Sequence, residues 1–401
     1  MTIPPTGQRP PLFRLNCMMF LEFFVLGSTM PIISLYLKNE LQFSGAQTGF
    51  ILSLSAISAF VSPFISAVFA DRLLSAERLL SLLHFASALL LFLLQSSTSF
   101  VFVLFLYLFY WMLVGPTTAL TTAITFHHAP EAVKQFGGIR LWGTLGWIAA
   151  AWTFRFFFSS GGNLHGALVM GAYGSIVLGL FSLTLPKGLT NLNKKIVLLP
   201  KDSLKVILHP PTLLLAFFSI LFSMADRMYM YGGGPFLRSL GFTEKDIMPV
   251  LSIGQIPEIF GLALLGLCIT RIGIKKTLLI GTTLEVIRFL LFSFEVSGPV
   301  LYLAISLHGL TYAFFFITAS IYIDKNSTPQ SRSGAHQYIA MLVGGTGALF
   351  GNIVAGFVSD YAKIGSGAGQ SFMMFWMVPM LLSAVGMAGI MVFFREREMR
   401  G

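Results

Sequence analysis

Charge is what this sequence has least of. Its 401 residues include only 26 lysines and arginines and 16 aspartates and glutamates, 10% of the chain. A water-soluble domain carries about 25% charged residues, because its surface must be solvated. A chain this poor in charge cannot cover a globule facing water, so the soluble-enzyme and disordered classes are excluded. Cysteine is scarce as well: Cys17 and Cys268 lie within apolar segments, and no disulfide framework is indicated. No G-x-x-x-x-G-K-[ST] loop is present, so ATP-driven pumping has no support. Nothing reads as a zinc site, and no nucleophile is paired with a base. The sequence therefore predicts no enzyme and no cofactor. The amino-terminal MTIPPTGQRPP is too polar and proline-rich for a signal peptide, and no cleavage site follows it.

What is present is apolar. Hydrophobic residues make up 55% of the chain, and its mean hydropathy is +0.79. Runs such as 100–114 and 372–394 show no alternation with period two, which argues for helices and against a barrel. The expectation is an all-α polytopic membrane protein with the lipid bilayer as its solvent. A window of ~19 residues gives twelve spans: 13–36, 46–70, 79–97, 99–126, 138–158, 165–185, 211–235, 247–269, 277–295, 298–322, 337–359 and 371–394.

The basic residues fix the expected orientation. With the amino terminus in the cytoplasm, 18 lysines and arginines fall on the inner side, four on the outer side and four within spans. This bias predicts that both termini are cytoplasmic, as in a bacterial inner-membrane protein. It also removes a nucleic-acid partner from consideration, since the net charge of +10 is distributed over alternate loops.

The polar stretch 186–210 separates six spans from six. The expected organisation is a tail (1–12), a first half (13–185), this linker, a second half (211–394) and a closing tail (395–401). Landmarks recur between the halves: Arg72 after the second span and Arg271 after the eighth, Gly143-Thr144 in the fifth and Gly345-Thr346 in the eleventh. Their shared offset indicates a duplicated chain. Two parallel six-helix halves with basic loops after spans two and eight resemble the major facilitator superfamily. That resemblance implies a substrate site near the bilayer midplane, between the halves.

A charge at the centre of a membrane helix costs about 2.5–3.5 kcal/mol on insertion scales, so each one needs a reason. Arg140, Thr144 and Trp147 are spaced i, i+4, i+7 and share one face of the fifth span. A guanidinium fork, a hydroxyl and an aromatic plate together can hold a polar ring compound; an interfacial anchor is the alternative reading of Arg140. Gln255 and Glu258 share a face of the eighth span, with Pro257 between them. Glu258 has no cation three or four residues away, which suits a carboxyl that takes up and releases a proton. Pairing with Arg140 across the halves is compatible with that role. Glu285 and Arg288, at i, i+3 in the ninth span, read as a structural pair. Asp226 and Arg227 point about 100° apart, so one of them can face the cavity. Glu22 is a second candidate proton site, and His308 and Tyr312 stand at i, i+4 in the tenth span. Of the threonines in the fourth span, Thr117 and Thr121 are those most able to reach a substrate.

At these residues the chain resembles the nucleoside:proton symporter family. The strings that carry the likeness are L-E-F-x-x-x-G-S (21–28), A-D-R-L-L-S-A (70–76), I-R-L-W-G-T-L-G-W (139–147), S-I-G-Q-I-P-E (252–258) and R-I-G-I-K-K (271–276). The loop string together with Q-I-x-E is the discriminating combination. The resemblance implies substrate contacts from Arg140, Thr144, Trp147, Arg227, Gln255, Glu258, His308 and Tyr312. Several of these depart from the family pattern: Arg227 stands for a glutamine, Met230 for an asparagine, His308 for a tyrosine and Tyr312 for a phenylalanine. Ala313 replaces an aspartate, whereas Glu22 replaces a glutamine, as if a carboxylate had been relocated.

The expected activity is import of nucleosides by proton symport through alternating access. Glu258 first and Glu22 second would carry the proton, and Asp71, Arg72, Arg271 and Lys275 would latch the outward-facing state. A single chain is expected to suffice. Two alternatives remain at this point: a sugar or small aromatic-acid permease, favoured if Arg140 and Arg227 jointly hold a carboxylate, and a membrane receptor that binds without transporting.

Overall fold

A computed structural model describes residues 12–65, 74–129, 132–158, 163–186, 201–328, 330–365 and 370–396. No strand occurs among them. Twelve long helices do: α1 (Leu12–Glu40), α2 (Gly45–Ser62), α3 (Ala76–Gln95), α4 (Phe100–His128), α5 (Ala132–Thr153), α6 (His165–Ser182), α7 (Pro210–Ser239), α8 (Glu244–Ile272), α9 (Ile274–Ser293), α10 (Gly298–Lys325), α11 (Arg332–Tyr361) and α12 (Phe372–Phe393). Ten of these are long and apolar enough to cross a membrane. The other two, α5 and α9, have 22 and 20 residues. Each carries charge along its length (Arg140 in α5; Lys275, Lys276, Glu285 and Arg288 in α9), so apolar composition alone does not mark them as spans.

Several helices outrun their predicted ends, notably at Lys38–Glu40 and at Arg238–Ser239. Hydropathy stops where charges start, but a helix continues for as long as its backbone groups can pair. The predicted linker falls largely on 187–200, outside the described residues. Its remainder forms a short helix, Lys201–Leu208, that packs on Ile323 and Ala335; Ser203 Oγ donates to the Ser331 carbonyl at 2.8 Å.

Prolines and small residues shape the helices at mid-depth. α1 is interrupted at Met30–Ile32, around Pro31, and α8 at Ile253–Gly254. Pro257 has no amide to give the Ile253 carbonyl, and the Ile256 amide takes it instead at 3.2 Å, tightening the turn before Gln255 and Glu258 come round. α10 widens into a π-turn at Tyr312–Ile317, a device that re-aims side chains and is frequent at functional sites.

The helices form two six-membered bundles, α1–α6 and α7–α12. Within each, the first and fifth helices touch backbone to backbone. A Cβ on Gly146 of α5 would collide with the Phe20 carbonyl of α1, and one on Gly351 of α11 with the Met224 carbonyl of α7. The end carrying the chain termini is marked by Arg14 donating to the Thr184 carbonyl and by Glu396 beside Lys275. The distal end is marked by His165 on the Gln95 carbonyl.

At the distal end the halves merge. One apolar cluster contains Leu26, Tyr36 and Ile51 of the first half together with Tyr231, Phe236 and Trp376 of the second. Polar contacts cross the same seam: Lys38 Nζ to Ser359 Oγ at 2.9 Å, the Tyr231 hydroxyl to the Gly45 carbonyl at 3.1 Å, an Arg155–Asp246 ion pair, and Asp360 on the start of α2. Toward the terminal end this shared core gives out. Leu15, Leu80, Ile124 and Leu178 cluster within the first half, and Phe222, Leu278, Phe315 and Ile390 within the second. α2 and α11 stay in touch farther along, where Phe60 lies against Gly345. The shared apolar core therefore lies at the distal end, and toward the other end each half has its own.

Candidate functional site

Below the distal seam lie two adjoining hollows, each with about 320 Å³ of empty volume. The first is lined by Pro31, Trp147, Tyr229, Met230, Leu251, Gln255 and His308. The second includes Tyr107, Trp111, Arg227, Asn352 and again Met230. Side chains from both halves line each hollow. Trp147 and Tyr229 supply aromatic walls, while the Gln255 amide and the His308 imidazole supply polar groups.

One turn toward the terminal end is a charged layer. Gln255 to Glu258 and His308 to Tyr312 are three- and four-residue steps, an axial drop of roughly 5–6 Å. Glu258 of α8 and Tyr312 of α10 stand here, and Arg140 of α5, on the other half, is close enough for its charge to bear on both. The guanidinium lies over the Phe23 ring of α1, 3.9 Å from its centroid. Glu258 is 7% exposed and Thr144 6%. Gly309 makes this layer compact: a Cβ there would stand 2.6 Å from the Glu258 amide nitrogen, so α10 runs directly against α8. The structure thus brings Arg140, Glu258 and Tyr312 together in one layer, with Trp147, Gln255 and His308 in the next and Arg227 in the adjoining hollow.

Glu22 lies elsewhere. Its carboxylate meets His84 Nε2 of α3 at 3.0 Å and accepts from the Thr117 hydroxyl of α4 at 2.5 Å, with no exposure of either Glu22 or His84. The crevice residues do not include it. Asp71 and Arg72 are outside the described residues. Lys275 is engaged within its own half, its Nζ donating to the Met391 carbonyl at 2.8 Å, and Arg271 is exposed.

The second half has its own buried group. Arg288 and Glu285 form the expected pair at 2.9 Å, but Arg288 also reaches His308 Nδ1 at 2.5 Å, and Asp226 lies 3.7 Å from that nitrogen. A carboxylate therefore approaches the site from α7. Ala313 is fully buried, its Cβ 2.9 Å from where a side chain on Gly261 would begin. Tyr107, Trp111, Tyr229 and Asn352 went unmarked in the sequence. Three are aromatics in a chain with 56 of them, and composition cannot say which face the crevice.

Comparison with known proteins agrees with this architecture. The family profile described as nucleoside H+ symporter matches residues 11–399. A putative nucleoside transporter of Escherichia coli K12, YegT, is 30% identical over 96% of this chain and 94% of its own. The xanthosine permease of the same organism is 28% identical over 88% of each chain. The crystal structure of a mutant form of the nucleoside transporter NupG superposes with a TM-score of 0.86 at 27% identity, covering 96% of this chain and all of that one. These relatives are transporters and not enzymes, and the shared fold is that of the major facilitator superfamily.

Proposed function

Because the chain belongs to the nucleoside H+ symporter family, we propose that it imports nucleosides with protons by alternating access through the crevice between its halves. The single observation that carries this reading is the slot between the halves lined by Trp147, Tyr229, Gln255 and His308, with Glu258 one turn beyond Gln255. Aromatic walls pack on a nucleobase, and a guanidinium with Thr144 and Gln255 hydrogen-bonds ribose hydroxyls and base edges.

Coupling follows from competition for Arg140. While Glu258 is ionised, its carboxylate attracts the guanidinium across the crevice and holds it away from substrate. A proton on Glu258 weakens that attraction and frees Arg140's donors for the nucleoside. Proton and substrate then bind together, and the loaded carrier reorients without a bare carboxylate in a closing, low-dielectric space. On the inner side the proton leaves, the Glu258–Arg140 attraction returns, and the nucleoside is expelled. Coupling rests on Glu258 in this scheme, since Glu22 is occupied with His84 and Thr117 outside the crevice.

With both termini in the cytoplasm of a bacterial inner membrane, the joined distal end faces outward. The crevice is enclosed by one chain, so a monomer suffices. The test is uptake of labelled uridine and inosine into proteoliposomes under an inward proton gradient. Accumulation that collapses with a protonophore supports the reading. Uptake indifferent to the gradient, or none while sugars or aromatic acids are carried, overturns it.

A further inference from the structure

His308 is bounded on one edge by charged groups and on the other by the crevice. Arg288 Nη1 lies 2.5 Å from its Nδ1, and Arg288 Nη2 donates to Glu285 Oε1 at 2.9 Å, with Arg288 and Glu285 at 0% and 1% exposure. The guanidinium also sits 4.5 Å from the ring centroids of Tyr229 and Phe289. Tyr229 and His308 in turn are neighbours, centroids 4.9 Å apart, and both line the first hollow.

An arginine has donors and no acceptor. A hydrogen bond between it and an imidazole nitrogen therefore requires that nitrogen to be the acceptor. The remaining proton of a neutral imidazole then sits on Nε2. Asp226 would favour the opposite arrangement, but at 3.7 Å it is beyond hydrogen-bonding distance, and the 2.5 Å contact decides. The two ring nitrogens diverge, so with Nδ1 turned to α9, Nε2 faces the hollow, where no described residue bonds it.

We infer that Arg288, braced by Glu285, holds His308 as a fixed Nε2–H donor, and that this donor selects nucleosides whose base carries a carbonyl oxygen at purine C6 or pyrimidine C4. His308 makes the contact, and Arg288 and Glu285 are positioning residues. The inference rests on the nucleoside reading above and narrows it to bases with an oxygen at that position. A donor with no partner in a closing crevice is costly, so an analogue without the oxygen loses roughly tenfold or more in uptake efficiency.

The test compares competition and uptake for two matched pairs: inosine with nebularine, which lacks the 6-oxygen, and uridine with zebularine, which lacks the 4-oxygen. In the native protein the oxo member of at least one pair is preferred, and the preference lies mainly in KM. Because Arg288→Met alone strands a buried carboxylate, the informative variant is Glu285→Gln with Arg288→Met, which removes both charges together. It is expected to bring the preferred pair to within about twofold while still carrying the weaker analogue. His308→Gln, whose amide can accept from Arg288 and donate to ligand, is expected to restore discrimination that His308→Phe abolishes. Nitrogen-15 NMR of histidine-labelled protein, assigned by His308→Gln, reads the tautomer directly whether or not the double variant folds. An Nδ1–H imidazole or an imidazolium overturns the inference, and so does full discrimination in the double variant. Gradient-driven uptake of both members of each pair at equal efficiency sinks the inference alone. Absence of any gradient-driven nucleoside uptake sinks the functional reading instead.

Discussion

The Asp360 carboxylate accepts the backbone amide of Gly45 at 2.5 Å, and that of Ala46 at 2.7 Å, from the opposite half of the molecule. The last turn of α11 thus caps the first turn of α2, where unpaired amides and the helix dipole favour a negative charge. Ser44 and Gln47 complete a capping box at the same turn. The cap exists only while the distal end is shut. It stabilises the state seen here and has to break for the crevice to open to the other side.

Asp360→Ala therefore shifts the carrier toward the distally open state. Two charge-assisted hydrogen bonds at about 1.5–3 kcal/mol each make the shift tenfold or more in population. Labelling of Ser55→Cys, at a residue that lines the second hollow, by a membrane-impermeant thiol reagent added from the distal side reports it, in a background lacking Cys17 and Cys268. Labelling at the native rate would mean that the apolar seam alone keeps this end closed.

Glu258→Gln keeps the size and hydrogen bonding of the side chain but cannot ionise. It should no longer accumulate uridine against a gradient, while exchange of internal for external uridine continues. The comparison of accumulation and exchange in the same vesicles separates coupling from binding, and undiminished accumulation would clear Glu258 of the proton.

Arg140→Met removes the guanidinium and leaves Glu258 without its counter-charge. Nucleoside binding is expected to fall by at least tenfold, since hydrogen bonds to a charged group contribute about 1.5–3 kcal/mol each. Arg140→Lys should recover little, because an ammonium lacks the planar fork. Ligand-induced thermal stabilisation of the purified variants measures this, with unchanged melting in the absence of ligand as the control.

Glu22 and His84 predict the opposite pattern. Their buried contact ties α1 to α3, with Thr117 of α4 joined to the same carboxylate. Removing one partner, as in His84→Leu, should cost about 3–5 kcal/mol of stability. Uptake per folded molecule should nevertheless stay gradient-driven. A thermal scan beside an uptake assay normalised to folded protein distinguishes the two effects, and loss of coupling without loss of stability would return Glu22 to the proton path.

How much of this was legible depended on how costly each feature is to hide. Arg140, Gln255 and Glu258 were visible because polar groups in lipid are expensive, and helical spacing alone put them on shared faces. The interruption in α8 was signalled by Pro257. The Arg288–His308 contact was not legible: the two residues sit on different helices 20 positions apart, and Glu285 already offered Arg288 a sufficient partner three residues away. Asp360 reads in sequence as an ordinary polar residue at a membrane boundary. Its role emerges only when α11 meets α2, a contact between chain segments over 300 residues apart that no local pattern encodes. Asn352 lies on the same helix and escaped for the same reason, as a single amide among small residues.

The close approach of Gly146 to Phe20, with its counterpart of Gly351 on Met224, has a consequence for how the crevice can change. Helices touching through their backbones leave no side-chain cushion to shear, so α1 travels with α5 and α7 with α11. Arg140, Thr144 and Trp147 then ride on one stiff jaw, and Arg227 and Tyr229 on the other. Neither group is rebuilt during a cycle. Affinity is tuned by one mechanical variable, the gap between two pre-assembled surfaces, much as a vice grips or frees a part without altering its faces.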